Sequence, residues 1–521
     1  MHGRRGLELR RRARLVSELG RIEPVDAWNR ALLESAHPPT WQNPEPKSRY
    51  DLVVLGGGTA GLVAAIVSAG LGARVALVEK HLLGGDCLNF GCVPSKTLIR
   101  SARAVADVRE ATRFGVRVSG AADVDFAAVM ERVRRVRAEI APHDSARRYT
   151  ELGVDVFLGH GRFTGPRALE VAGAELRFKR AVVATGARAA PPPIPGLAEV
   201  GFLTNETVFS LVERPARLAV IGAGPAGCEL AQSFQRLGSR VTLVEVAPQV
   251  LIREDPDAAA LVQAALVRDG VELLLGAKLE KVERRGAAKL LRVVTPKGER
   301  EVEVDEVLVG IGRAPNVEDL GLEAAGIAFD RARGVVVDAR LRTSNPRVFA
   351  AGDVCLATKF THAADATAKL VVRNAFFFGR RRVADLRIPW CTYTDPEVAH
   401  VGLYARDAQA QGIAIDTFEA PLAANDRSRA EGEDAGFLKV HVRKGSDSIV
   451  GATLVARHAG DLIAPLATAM ASGAGLGRLV DLILPYPTQS ELIKVVAGAY
   501  TRTRLTPFAA RVLRALIELA R

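Results

Sequence analysis

Apolar positions along the chain repeat one pattern twice. "YDLVVLGGGTAGLVAAIVSAGLGARVALVEK" opens with a short apolar run and a glycine turn. An Ala-rich stretch at helical spacing, a second apolar run and a closing acid follow. "ARLAVIGAGPAGCELAQSFQRLGSRVTLVEV" does the same further on. Short apolar runs bounded by turn residues read as buried strands, and the longer periodic stretch between them as a helix, so each copy predicts a βαβ unit. Each copy is followed later by an apolar run expected to be a strand ending in Gly, at Gly186 in "AVVATG" and at Gly312 in "EVLVGIG". From about Ile388 strand-like and helix-like patterns mix without a third glycine turn, which predicts an α+β domain. The first 48 residues read as an extension closed by the Pro-rich "HPPTWQNPEPKS", taken as a linker. At the other end "TPFAARVLRALIELAR" has apolar residues at helical spacing.

The glycines give the two units a chemical meaning. Gly56, Gly58 and Gly61 form one GxGxxG, and Gly222, Gly224 and Gly227 another. Such a turn between strand and helix lets a pyrophosphate approach free N–H groups at the positive end of the helix dipole. Glu79, with Lys80 beside it, and Glu245 stand at the same spacing from their glycines and would accept hydrogen bonds from an adenine ribose. After Glu245 come Val246, Ala247 and Pro248, with no cation to receive a 2′-phosphate, so NADH is favoured over NADPH; Arg253 is the nearest candidate to reverse that. The fold class is therefore α/β, with two Rossmann-like dinucleotide-binding domains and a C-terminal α+β domain.

Composition narrows the setting. A chain of 521 residues, 48% hydrophobic and 25% charged, is expected to form three or four globular domains. It holds no apolar run of the ~18 residues a membrane helix needs, and its charged start is unlike a signal peptide. The net charge of +12 comes from an Arg- and Ala-rich chain without basic runs interleaved with aromatics, so no nucleic-acid partner is expected. "RRGLELRRRARLV" reads as a solvated helix. Five cysteines, unevenly placed, do not make an extracellular disulfide framework. A cytoplasmic protein is expected, in which a persistent disulfide is usually catalytic. Cys87 and Cys92 in "GGDCLNFGCVPSK" bracket a loop too short for a disulfide to stabilise much, so they read as a bond that opens and closes. A helix beginning near Cys92, with Pro94 in its first turn, would favour the thiolate and put Lys96 on the same face. Cys228, Cys355 and Cys391 read as buried, inert thiols.

These motifs together resemble the class I flavin-dependent pyridine nucleotide–disulfide oxidoreductases. The resemblance runs from about residue 49 to 498 and is carried by "GGGTAG", "GGDCLNFGCVPSK", "ATG", "GAGPAGCE", "GIGRAPN" and "AAGDV". It implies FAD in 49–196 and 326–385, NAD(P)H in 197–325, and a dimerisation domain in 386–498, followed by a helix in 499–521. The implied assembly is a homodimer whose active sites use both subunits. Among cofactor-contacting residues it implies Gly161, Thr185, Gly186, Asp353 and His362 for FAD, and Gly312 for the nucleotide domains. Lys96 matches the lysine near the flavin N5, and Glu229 the glutamate paired with it beside the nicotinamide. Cys92 would face the flavin and Cys87 the substrate. No resident metal is implied.

One departure bears on the substrate. Disulfide reductases of this family carry His-Pro-Thr followed by Glu; here "LPYPTQSELIK" has Tyr486 at the His position, with Glu491 retained. A phenol, with a reference pKa near ~10, is a poor base for a dithiol at neutral pH. Reduction of a thiolate-bound soft metal needs no such base. "Pro-Tyr", "REDP" and "CVPSK" resemble the mercuric reductase branch in those places. That branch also has a cysteine pair at its C-terminal end, whereas here the last cysteine is Cys391. The expected acceptor is a soft metal ion or a disulfide, with dihydrolipoyl dehydrogenase-like or diaphorase activity as the alternative and a non-catalytic FAD protein as a third class. The Phe508, Val512, Leu513, Leu516 face of the last helix is expected to pack on the dimer. An exposed face would point to a membrane surface or a partner protein.

Overall fold

The computed structural model describes residues 22–120, 123–190, 192–377 and 379–521. The basic stretch expected as a solvated helix lies outside them. The chain forms two compact units, one of Met1–Gly222, Ser233–Val244 and Lys278–Leu386, the other of Ala223–Gln232, Glu245–Ala277 and Arg387–Arg521.

In the first unit the strand Tyr50–Leu55 lies between Val75–Glu79 and Ala174–Val183, parallel to both, with Val154–Leu158 beyond Val75–Glu79. All of Val75–Glu79 is buried, and its apolar run Val75–Val78 is what a parallel sheet covered on both faces requires. The late segment Val348–Ala350 returns to this sheet, parallel to Ala174–Val183, and the helix Thr361–Phe376 packs against Thr59–Gly70. A second parallel set places Arg217–Ile221 between Arg240–Glu245 and Glu306–Val309. The strands expected to end at Gly186 and Gly312 stop at Val183 and Val309. Beyond them Ala187–Ala189 and Arg313–Pro315 turn away and pair antiparallel with each other.

The described part of the extension, residues 22–48, with the expected linker 37–48 in it, packs into the first unit. Asp26 caps the helix Ala27–Ala36 by accepting from Asn29 N, and Leu32 and Ala36 are fully buried in the core that holds Leu52, Val54 and Leu77. Leu83 N donates to Ala36 O at 3.0 Å. Asn43 exchanges two hydrogen bonds with Leu158, and Trp41 Nε1 donates to Val156 O. The Pro-rich composition suggests a linker. The partners of Trp41 and Asn43, Val156 and Leu158, lie 115 residues away along the chain.

The second unit carries a five-stranded antiparallel sheet in the order Trp390–Thr392, Glu397–Gly402, Ile449–Ala456, Phe437–Arg443, Ile415–Pro421. The helix Glu491–Thr503 buries Leu492, Ile493, Val496 and Ala497 against it. Glu254 of "REDP" is buried here and accepts from Trp390 Nε1 at 3.0 Å and from the Tyr404 hydroxyl. Burial pushes its carboxyl upward.

Candidate active site

The short helix Gly85–Asn89 carries Cys87, and Cys92 opens the helix Cys92–Glu110 directly after the N-cap Gly91. Both cysteines are free thiols, Cys92 exposed and Cys87 half-buried, and the two hydrogen-bond to each other. Cys92 Sγ also lies 3.2 Å from Thr361 Oγ1. The Cys87 thiol, the Thr361 hydroxyl and the charge of Lys96 together lower the Cys92 pKa to about 6, against the opposing effect of burial. Cys87 moves far up, because the bond it donates to Cys92 favours its own protonated form and burial adds to this. The pair is thus one thiolate and one thiol at neutral pH. Lys96 sits one turn along the helix, and a cleft of about 370 Å³ opens beside it, lined by Cys92, Val93, Lys96, Thr97, Arg100 and Arg132 among others.

The two glycine turns are built alike. Glu79 accepts from Gly57 N at 2.6 Å and His81 N at 2.6 Å. Glu245 accepts from Ala223 N at 2.6 Å and Ala247 N at 2.8 Å. Each carboxylate is therefore held at the mouth of its own turn. Gly56 has φ +110°, and a Cβ on Gly61 would stand 1.7 Å from Gly56 O, so both are required by the fold. The middle glycines are different. A Cβ on Gly58 would meet only Gly85 Cα at 3.6 Å, and one on Gly224 nothing within 4 Å. Protein packing does not ask for glycine at either position. A pyrophosphate brought against the backbone does, so the residues present fit dinucleotides. Gly222 has φ +100°, and Gly227 is buried in the helix Pro225–Arg236. Lys80 is exposed.

Asp353 lies in the 3-10 turn Gly352–Val354. Burial raises its carboxyl, with Arg313 and Lys359 opposing. Arg313 joins Asp353 at 3.5 Å to Asp86 at 3.2 Å, the residue preceding Cys87. Thr185 Oγ1 donates to Asn316 O at 2.7 Å, and Asn316 N donates to Gly186 O, so the Thr185–Gly186 loop is latched by the "GRAPN" segment that begins at Gly312. Gly161 is required by packing, since a Cβ there would meet Leu55 Cδ1 at 2.6 Å. The His362 ring stacks on Phe360. Sequence reasoning missed Thr361, Arg313 and Asn316. The last two were inside a quoted motif, while Thr361 carried no signal beyond its neighbour His362.

The second unit holds the remaining candidates. Glu229 is buried and accepts from Tyr393 N at 2.9 Å. Tyr486 is 70% exposed, and its hydroxyl donates to Asp426 Oδ2 at 3.0 Å. That bond and the Asp426 charge raise the phenol pKa further. Thr488 N donates to Glu491 Oε2 at 3.5 Å, and Asn425 Nδ2 to Thr488 O, which ties this loop to the Asp426 turn. Of the cysteines expected to be inert, Cys228 is buried and Cys355 and Cys391 are half-buried. Burial pushes Cys355 up to about 12. No cluster of three or more acidic, His or Cys side chains able to hold a metal occurs among the described residues.

Two dinucleotide turns and a thiol–thiolate pair define a flavoprotein oxidoreductase. Residues 50–369 match the pyridine nucleotide-disulphide oxidoreductases and 388–497 match the dimerisation domain of the same family; the chain belongs to that family. It is 35% identical over 454 residues to a mercuric reductase of Staphylococcus aureus, covering 87% of this chain and 83% of that one. It is 35% identical over 456 residues to a dihydrolipoyl dehydrogenase of Thermus scotoductus, covering 86% and 97%. Among solved structures, the Cu(II) complex of the HOCl-induced flavoprotein disulfide reductase RclA from Escherichia coli superposes with a TM-score of 0.76 at 28% identity, covering 87% of this chain and all of that one. LpdA from Mycobacterium tuberculosis gives a TM-score of 0.79 at 28% identity, covering 87% of this chain and 100% of that one. The protein is an FAD-dependent oxidoreductase that uses a nicotinamide nucleotide, and it carries its family's dimerisation domain.

Proposed function

We propose that this enzyme takes electrons from NADH and delivers them, by way of the Cys87–Cys92 pair, to a soft metal ion such as mercuric ion. The observation that carries the reading is Tyr486. Its hydroxyl is committed to Asp426 and made less acidic by it, so it cannot draw a proton from a dithiol at neutral pH. A thiolate-bound metal ion asks for no such step, and paired cysteine sulfurs are soft ligands suited to it. The mercuric reductase relatives and the copper complex of the structural neighbour support the same class of acceptor.

In this reading Gly56, Gly58, Gly61, Glu79, Lys80, Gly161, Thr185, Gly186, Asp353 and His362 hold FAD in 49–196 and 326–385. Gly222, Gly224, Gly227, Glu245 and Gly312 hold NADH in 197–325. When bound, FAD supplies the relay between a two-electron hydride donor and the sulfur pair. Cys92 presents the thiolate, Cys87 exchanges with the acceptor, and Lys96 and Thr361 hold the negative charge on Cys92. Residues 386–498 form a homodimer whose active sites each combine the cysteines of one chain with Tyr486 and Glu491 of the other. The enzyme's dependence on NADH, a metabolite held inside the cell, supports the cytoplasm as its setting.

The similarity to dihydrolipoyl dehydrogenase favours a second reading, dithiol oxidation with Glu491 as base. NADH oxidation by purified protein against mercuric ion, cupric ion, lipoamide, glutathione disulfide and a quinone separates the two. Metal-dependent turnover should exceed that with either disulfide. Faster turnover with lipoamide would replace the metal reading by the second one, and a quinone-only response would make the protein a diaphorase.

A further inference from the structure

We infer that the helix Pro507–Leu519 is a docking element for an anionic lipid surface. It is a well-started helix, with Pro507 in its first turn and Thr506 Oγ1 accepting from Ala509 N. None of its residues is buried. Phe508 is 70% exposed, Leu516 56% and Leu519 84%, and Val512, Leu513 and Ile517 are exposed as well. At ~100° per residue these six cover about half the circumference of the helix. The preceding helix is the contrast, since its Leu492, Ile493, Val496 and Ala497 are in the core. A 13-residue helix with an uncovered apolar face is marginal in water and gains its stability from whatever covers that face.

Charge and position select the occupant. The opposite side of the helix carries Arg511 and Arg514 against a single acid, Glu518; exposed Arg502 and Arg504 precede the helix and Arg521 follows it. Two copies meeting on their apolar faces would cover those faces and leave the arginines on the outer sides without an anionic partner. The matched dimerisation domain ends at residue 497, ten residues before Pro507. A sheet of lipid phosphates satisfies both faces at once: the apolar side chains enter the acyl boundary, and the arginines reach back to the headgroups. At ~1.5 Å per residue the helix is too short to cross a bilayer, and among the described residues no helix is long and apolar enough to do so. It would lie in the interface plane.

The test is flotation of the full-length, FAD-loaded enzyme with two kinds of vesicle, phosphatidylcholine alone and equal parts phosphatidylcholine and phosphatidylglycerol. The enzyme should float with the anionic vesicles only, and high salt should release it. Arg511→Ala and Arg514→Ala should each lower partitioning about fivefold. Leu513→Glu with Leu516→Glu should abolish it, while FAD content, NADH turnover and dimer mass by light scattering stay at wild-type values. Failure to float on anionic vesicles overturns the inference. So does equal flotation on neutral vesicles, or a double-Glu variant that falls to monomer mass, which would make a second copy the occupant.

Discussion

Cys92 and Cys87 are the same side chain in two electrostatic settings. Cys92 receives a hydrogen bond from Cys87, another from Thr361 and the field of Lys96, which together place its pKa at about 6. In the reduced enzyme, iodoacetamide should therefore alkylate Cys92 with a rate that rises through a midpoint near pH 6 and is level by neutral pH, since the thiolate is the nucleophile. Thr361→Val and Cys87→Ala should each move that midpoint upward. A wild-type midpoint near the ordinary thiol value, unmoved by either change, would mean that the hydrogen bonds do not exist in solution. Glu245 allows a second prediction at this scale. Its carboxylate is fixed by Ala223 N and Ala247 N, where it would bond a ribose and repel a 2′-phosphate. NADH should exceed NADPH in kcat/KM by at least tenfold, which is ~1.4 kcal/mol, and Glu245→Arg should narrow or invert the ratio. A wild type that prefers NADPH rejects the assignment and points to Arg253.

At the scale of elements, local signals and long-range ones separate. The βαβ units were legible because a strand, a glycine turn and a closing acid are read within thirty or so residues, the span over which such a unit closes. The start of the helix at Cys92 was legible for the same reason. The packing of residues 22–48 was not, because a Pro-rich stretch reads as a linker and its partners Val156 and Leu158 lie in a distant strand. Thr361 reaches Cys92 across 269 residues, and no spacing rule connects them. The early turn-off at Val183 and Val309 was hidden because each apolar run continues to its glycine, while the backbone leaves the sheet to form the Ala187–Ala189 and Arg313–Pro315 ladder. The packed N-terminal helix makes its own prediction. Leu32 is fully buried, so Leu32→Ala should cost about 2–5 kcal/mol through lost burial and the cavity left behind. Urea unfolding of the FAD-loaded protein measures this. A wild-type midpoint for the variant would show that the helix is only laid against the domain.

At the scale of the whole molecule, the residues proposed for the chemistry belong to different units: the thiols to the first, and Tyr486 and Glu491 to the second. The proposed homodimer supplies the second half from the other chain, and the absence of an imidazole offers a way to test it. Tyr486→His places an imidazole next to Glu491, which is already hydrogen-bonded to the Thr488 backbone. The variant should gain dihydrolipoamide oxidation of the size expected for a restored general base, ~10²–10⁴-fold, while metal-dependent NADH oxidation changes little. A chain carrying both Cys92→Ser and Tyr486→His has the imidazole and no redox pair, so its homodimer is inactive. Wild-type homodimers have the pair and no imidazole, so their dihydrolipoamide activity is weak. When the two are dissociated, mixed and reassociated, a hybrid dimer sets the wild-type cysteines against the imidazole of the other chain only if the sites are shared. The mixture should then show dihydrolipoamide oxidation far above the sum of its parents, with each hybrid dimer carrying about half the activity of a Tyr486→His dimer, because one of its two sites is competent. A mixture no more active than its parents, measured alongside an active Tyr486→His homodimer and with hybrids verified by differential tagging, would place each site within a single chain.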